Sequence, residues 1–294
     1  MNIQAATNYN PDNPQPGIYR DVPNDVYHAS KGISSSRLTE FGTTSPHKFR
    51  HAKREQKDCY TEGTLLHHLA VEKLTGLPAG FALKPETYIN DKGEVKPWNG
   101  NAAVCKDWAT ANADKVLVPQ KTYDNIKYTD ECLSKHADAA ALLNVDGDRE
   151  LTVVATHEAF DCLVRCKIDI PFDGLRQVAD LKSTRDATRQ GFRRQATQLH
   201  YCAKAAFYFD VMRFAGLDPK TFWWIACEIG DFENQIPPEI NIYWSHDDSQ
   251  EMERGRDIYR DWLMDYIECE DSGIWPMSTK SPCMMELEPW AYKG

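Results

Sequence analysis

The chain has 294 residues, enough for one large α/β domain or two smaller ones. Hydrophobic residues make up 41% of it and aromatics 11%, which excludes global disorder. With 34 Lys and Arg against 44 Asp and Glu, the formal charge of −10 excludes a non-specific coat for nucleic acid, but not a local basic path to a site.

The longest strictly apolar run, Phe222 to Cys227, is far too short to span a bilayer, so no membrane association is expected. The N-terminus has no basic start and no apolar stretch, so no secretory signal is read. Nine cysteines occur without any C-x-x-C, and the closest pair is Cys162 and Cys166. They read as free thiols in a reducing cytoplasm. Cys269 and Cys283 lie too far apart to help bind an iron–sulfur cluster.

Residues 1–17 are polar and proline-bearing and read as a loose arm, leaving 18–294 as a single domain. Ser34-Ser35-Ser36 caps a helix beginning at Arg37-Leu38, and Ser45-Pro46 starts another. That second helix, PHKFRHAKREQK, carries Lys48, Arg50, Lys53, Arg54 and Lys57, either as a solvated face or as a phosphate-contacting one. In EGTLLHHLAVEKLTG, Leu65, Leu66, Leu69, Ala70 and Leu74 recur at helical spacing, with a stop at Gly76. Residues 78–101 read as a loop, and helices are expected over 102–114 and 121–143. Strands are expected at 151–157, 162–170 and 177–184. One long helix from Arg189 to Ala215 follows, then strands at 222–229 and 240–245 and a helix from 247 to about 270. The class is α/β or α+β, a central mixed β-sheet flanked by helices.

A turn around Gly174 and Leu175 sets Asp169 opposite Asp180 in the hairpin 162–184. Lys182 shares the strand face of Asp180. Two carboxylates this close repel unless a cation lies between them, and Mg²⁺ suits oxygen ligands. Lys182 then stands where it can hold a water or offset charge on a phosphate. The plainer reading of D-x(10)-D-x-K is an exposed, salt-bridged hairpin. His68 and Glu72 share a helix face and read as a surface pair, whereas His67 and Glu72, five residues apart, do not. Arg185, Arg189, Arg193 and Arg194 follow the lysine strand and could track a DNA backbone or merely begin a solvated helix. At least one of Trp223 and Trp224 is expected in the core.

GTLLH (63–67), KIDI with Asp169, and ADLKST with Asp180 and Lys182 resemble the nuclease motifs of the PD-(D/E)XK superfamily. The closer resemblance is to the RecE-type exonucleases (exonuclease VIII) and related phage exonucleases of the RecB-like branch. It extends through GIYRDVPNDVYHASKGISSSRL, YCAKAAFYFD (201–210), MERGRDIYRDWLMDYIECEDSGIWP and the closing LEPWA. The resemblance implies a restriction-endonuclease-like core. It assigns the metal to His67, Asp169 and Asp180, the catalytic lysine to Lys182, and the DNA side of the helix motif to Tyr201 and Tyr208. His68 adjoins His67, so the match leaves open which histidine faces the metal. Where the family has a glutamine this chain has Lys204, and Gln198 one turn earlier could take that role. The implied activity is a Mg²⁺-dependent exodeoxyribonuclease, with Mn²⁺ as a substitute. It would degrade double-stranded DNA from the 5′ end and pass the 3′ strand to a single-strand annealing protein in recombination. A ring-like homo-oligomer is also implied, four subunits being one option. The rival readings are a non-catalytic DNA-binding scaffold on the same fold and a nuclease that cuts internally or on single strands.

Overall fold

The computed structural model describes residues 3–52 and 58–278. The N-terminal third contains β1 (Ile3–Ala5), β2 (Gly17–Arg20), α1 (Asn24–Ala29), β3 (Ile33–Ser34), α2 (Ser35–Thr43), α3 (Pro46–His51) and α4 (Asp58–Ala70). Next come β4 (Phe81–Lys84), β5 (Thr87–Ile89), β6 (Val95–Pro97), α5 (Ala103–Ala111), β7 (Val116–Pro119), α6 (Gln120–Lys135) and α7 (Ala137–Leu143). The remainder is β8 (Leu151–His157), β9 (Cys162–Ile168), β10 (Ile170–Phe172), β11 (Gln177–Ser183), α8 (Arg189–Gln198), α9 (Tyr201–Phe214), β12 (Thr221–Cys227), β13 (Ile240–His246) and α10 (Gln250–Ser272).

Two mixed sheets dominate, ordered β1-β2-β8-β9-β3 and β10-β11-β12-β13. The expected α/β class with a mixed sheet between helices therefore holds, with the sheet in two parts. The alternation of β11 explains how they share one interior. Val178 faces a core built from β8, β9, α9 and α10, while Ala179 and Leu181 face a second core built from α4, α6 and α7. Asp180 and Lys182 lie on the Val178 side, so two polar side chains occupy strand positions that an apolar residue would otherwise fill. Among the described residues no helix is long and apolar enough to cross a membrane.

Both serine caps form as the sequence suggests. Ser34 Oγ accepts from Arg37 N–H at 3.4 Å and Ser45 Oγ from Lys48 N–H at 3.2 Å. Other expectations need correction. The periodicity predicts one helix from Arg189 to Ala215, but the structure divides it at Leu199 and His200, with His200 at φ 53°. Six of the ten residues of α8 are exposed and nine of the fourteen of α9 are buried, so a single straight rod does not satisfy both halves. The 121–143 pattern likewise splits at His136, whose ring accepts from Ala139 N–H. The 162–170 strand breaks at Asp169. The 78–101 loop holds three short strands, and α4 stops at Ala70, before Gly76. Near the N-terminus, Ile3–Ala5 pair in parallel with β2, and Tyr9 packs edge-on to Tyr19 while its hydroxyl donates to Ser30 at 2.8 Å. An aromatic anchor inside a polar, proline-bearing stretch thus ties it to the sheet. Helix α3 ends at His51, and Lys53, Arg54 and Lys57 lie outside the described residues.

The long helices α9 and α10 pack closely where Gly255 faces the backbone of Cys202. A Cβ at Gly255 would stand 2.6 Å from the Cys202 carbonyl carbon. Gly255→Ala therefore forces two backbones apart and should cost about 1–3 kcal/mol despite the better helix propensity of alanine. A denaturant midpoint equal to or above that of the parent protein would contradict this packing.

Candidate active site

Strand β9 leaves its sheet after Ile168, and β10 resumes in the other sheet with Ile170 opposite Ala179. This is the hairpin register that the sequence implies. Asp169 occupies the junction, next to Asp180 across the ladder. A residue at such a break is released from the pleat, so its side chain can reach groups in both sheets.

Helix α4 supplies His67 from its last turn. His67 Nε2 lies 3.2 Å from Asp169 Oδ2 and 3.1 Å from Glu150 Oε1, and Nδ1 lies 3.4 Å from Glu72 Oε1. His67 and Glu72 meet although an ideal helix would separate them. Winding ends at Ala70, and Glu72 N–H bonds back to the His67 carbonyl at 3.1 Å. Among the described residues His68 pairs with Glu72, at 3.5 Å, so Glu72 is shared by both histidines and the simple surface pair is corrected. Of the two histidines, His67 is the one turned into the carboxylate cluster.

Glu150 is the residue that sequence reasoning missed. It precedes β8 at φ 54°, a left-handed conformation that is costly for a glutamate, and its N–H donates to the Asp169 carbonyl at 3.1 Å. The signal was present in the strand pair: with Leu151 opposite Ile168, Glu150 must fall opposite Asp169. Lys167 Nζ holds Glu150 Oε2 at 3.2 Å, while the buried Oε1 is the oxygen that faces His67 Nε2.

Asp180 is engaged by Lys182, whose Nζ lies 2.6 Å from Oδ1 and 2.5 Å from Oδ2. The loop that follows β11 is itself held in place on both sides. Ala187 N–H donates to Glu228 at 2.9 Å, and Tyr243 OH to the Ala187 carbonyl at 2.7 Å. Thr184 Oγ donates to Gln195 Oε1 at 2.6 Å, and Gln195 Nε2 to Tyr201 OH at 2.9 Å. Two ammonium groups lie near the buried Tyr201 ring, Lys182 at 5.9 Å and Lys204 at 5.6 Å from its centre. Gln195, not Gln198, is the glutamine that meets Tyr201. Gln198 is exposed at the end of α8. Tyr208 is half-buried two turns further on, edge-on to Phe222. Arg185, Arg189, Arg193 and Arg194 are all exposed on the segment leading into α8 and along it. Trp224 is buried, and Trp223 pairs with the outer-face Trp244.

The electrostatics follow from burying so many charges together. Burial opposes charge on His67, but Asp169, Glu150 and Glu72 outweigh it and hold the imidazolium well above the usual histidine range. Burial likewise opposes ionisation of Asp169, yet His67 and Lys182 keep it well below the carboxylate range. Asp180 goes the other way: burial and the neighbouring Asp169 raise it in spite of Lys182. A hydrogen bond between the two aspartates lowers Asp169 and raises Asp180, so the pair titrates together. Burial, then Lys182, pushes Lys204 down to about 8.

One donor atom each from His67, Glu150 and Asp169 lies within 4.8 Å of the others. Two carboxylates and an imidazole, with carboxylate oxygens of Glu150 and Asp169 both turned toward His67 Nε2, suit a divalent cation such as Mg²⁺ or Mn²⁺. Asp180 stands next to this trio with its oxygens on Lys182.

Residues 57–285 match the family described as "PDDEXK-like domain of unknown function (DUF3799)". No curated protein matches the chain. Among solved structures, the crystal structure of a "Putative exonuclease" from Eubacterium rectale superposes with a TM-score of 0.56 at 12% identity, over 88% of this chain and 90% of that one. Identity that low shows a shared fold. The family match spans most of the chain and contains His67, Glu150, Asp169, Asp180 and Lys182, and the chain therefore belongs to this PDDEXK-like family, within the PD-(D/E)XK superfamily.

Proposed function

We propose that the chain is a metal-dependent exodeoxyribonuclease of RecE type, with residues 18–294 acting as one nuclease domain. The observation that carries this reading is the meeting of His67, Glu150 and Asp169 with the Asp180–Lys182 pair at the point where β9 passes between sheets. His67, Glu150 and Asp169 would hold Mg²⁺ or Mn²⁺, with Asp180 as a further ligand once its proton is lost. When bound, the ion supplies Lewis-acid polarisation of the scissile phosphate. Lys182 is held by Asp180 in one geometry, so its charge is aimed before substrate arrives, and it offsets negative charge building on the phosphate. Lys204, across the Tyr201 ring, adds a second cation to the same wall. Arg185, Arg189, Arg193 and Arg194 hold the DNA backbone without reading bases, as a nuclease that accepts every sequence requires.

The substrate and product follow from the RecE resemblance: double-stranded DNA degraded from the 5′ end, with the 3′ strand delivered to an annealing protein during recombination. A ring of subunits around DNA would place the basic segments on an inner wall and leave the acidic surplus outside. End-labelled linear duplex beside covalently closed circles tests the mode of action. Linear DNA should be consumed with early release of the 5′ label and circles should survive. Circles nicked as fast as linear DNA is cut would replace the exonuclease with an endonuclease.

Lys182→Ala should retain divalent-ion affinity and lose cleavage by roughly 10²–10³-fold, the scale for removing one preorganised transition-state donor. Calorimetry and single-turnover cleavage on the same sample decide it, and a lost metal affinity with normal cleavage would reverse the assigned role. Glu150→Gln should do the opposite, weakening ion binding by roughly 10–100-fold.

Metal binding should also expel protons. His67 and Asp180 both hold protons above their usual ranges in the metal-free protein, and an ion needs the neutral imidazole and the carboxylate. Affinity for Mn²⁺ should therefore rise as pH rises through neutrality. Calorimetry in buffers of different ionisation heat should show net proton release, and no release would contradict the protonated cluster.

A further inference from the structure

Two lysines pair with carboxylates of the site, and their surroundings differ. Lys182 is held by Asp180 and keeps N–H groups to offer an incoming group. Lys167 is only 8% exposed. Its Nζ donates to the Val22 carbonyl at 3.0 Å and to Asn24 Oδ1, and lies 3.2 Å from Glu150 Oε2. An ammonium has three N–H groups, and three oxygens surround this one. The Tyr27 ring lies 5.8 Å from Nζ on a further side. A buried lysine with every donor engaged has none left for a water or a phosphate. Whatever Lys167 does for the site, it does through Glu150.

The strand pair explains the meeting. Along β9, Cys166 and Ile168 enter the main core, and Arg165 and Lys167 face the other way, toward Tyr27. Thr152 stands opposite Lys167, so Glu150 is its diagonal neighbour, within reach of a long side chain. Val22 and Asn24 come from the turn between β2 and α1, 145 and 143 residues away in the chain. That turn is fixed in its own right, by β2 pairing with β8 and by Tyr27 N–H donating to the Pro23 carbonyl at 2.8 Å.

The consequence for Glu150 is directional. Its left-handed backbone and its N–H bond to the Asp169 carbonyl fix where the side chain starts. Lys167 fixes where it ends. Oε2 is turned to the ammonium and Oε1 to His67 Nε2, 3.1 Å away, so one oxygen of the carboxylate faces the trio and the other faces away from it. The number of oxygens a carboxylate offers discriminates between ions. Ca²⁺ takes about six to eight oxygens and readily accepts both from one carboxylate, whereas Mg²⁺ is smaller, requires near-octahedral geometry and keeps several waters. We propose that Lys167 is a positioning residue that sets the ion preference of the site: it holds back Glu150 Oε2, and the single oxygen left favours Mg²⁺ or Mn²⁺ over Ca²⁺. The inference rests on the metal-binding part of the nuclease reading and not on the choice of DNA as substrate.

The test measures ion binding to the full chain by calorimetry, without DNA. Mn²⁺ and Ca²⁺ are titrated into the parent protein, Lys167→Met and Asn24→Ala. Methionine keeps the apolar stem and removes the charge. Asn24 is exposed, so Asn24→Ala loosens the lysine without touching the core. Losing a nearby positive charge acts on both divalent ions alike and drops out of their ratio. The Mn²⁺-to-Ca²⁺ affinity ratio should fall roughly tenfold in Lys167→Met and about threefold in Asn24→Ala, in keeping with the effects of outer partners on metal ligands. If Lys167 merely supports the fold, both ions lose affinity by the same factor, and an unchanged ratio overturns the proposal. An unchanged ratio in Asn24→Ala overturns it even where Lys167→Met does not fold. Parent protein that binds neither ion would overturn the metal site and this inference with it. A Lys167-dependent ratio in a protein that never cleaves DNA would overturn the nuclease reading alone.

Discussion

One carboxylate at a broken strand organises the site. Asp169 stands where β9 stops pairing with β8 and β10 begins pairing with β11. A continuous strand would have kept its side chain in the pleat of a single sheet. The break instead gives it neighbours from α4, from the residue before β8 and from β11. Once that carboxylate is buried, the rest is constrained: it needs a cation, and His67 and Lys182 provide two. The cations attract further carboxylates, Glu150 and Glu72 toward His67 and Asp180 toward Lys182. The result is a compact alternation of charge in which every carboxylate has a cationic neighbour.

That alternation must be held by something that does not itself titrate with the site. The wall carrying Tyr201 and Lys204 is α9, and α9 is fastened to α10 through buried Asp210. Its carboxylate accepts from Arg213 at 2.8 Å and from Arg256 and Arg260 at 3.1 Å each, and Tyr259 OH also donates to it. Arg213 and Arg256 also grip Asp247, at the end of β13. A carboxylate with three guanidinium partners is a structural clamp. Removing it would leave the buried Tyr259 hydroxyl without this partner and Arg213 and Arg256 with Asp247, a loss of a different kind from losing a metal ligand. The long helix pair thus fixes one side of the cleft, while the Thr184–Gln195–Tyr201 bonds fix the lysine side.

Much of this was legible in the sequence. Strand-like runs marked 151–157, 177–184 and 240–245, the serine caps marked helix starts, and the turn around Gly174 and Leu175 set the Asp169–Asp180 register. What was not legible depended on pairing between distant segments. Glu150 carries no motif, and its place emerges only when β8 is laid beside β9. Gln195 was hidden because one unbroken helix from Arg189 would not have turned it toward Tyr201, whereas a left-handed His200 does. The contact between His67 and Glu72 required a helix end that periodicity set four residues or more too late. Local pattern names the strands and helices, and non-local register decides which polar groups meet.

An acidic protein that handles a polyanion needs its charges sorted more than it needs them summed. The acidic groups of the site are already spent on His67, Lys167 and Lys182, so they add little repulsion at long range. Much of the remaining excess lies on the outer face of α10, where Glu251, Glu253, Asp257, Asp261 and Asp265 are all exposed. The arginines of that helix nearest the core, Arg256 and Arg260, are turned inward to Asp210 and do not offset it. The exposed arginines of α8 lie on another element. Under the proposed nuclease function, a DNA duplex would therefore be repelled from α10 and drawn to the faces that flank Asp169. The same imbalance that argues against non-specific binding orients the substrate, because like-charge repulsion on one face narrows the encounter to the productive ones.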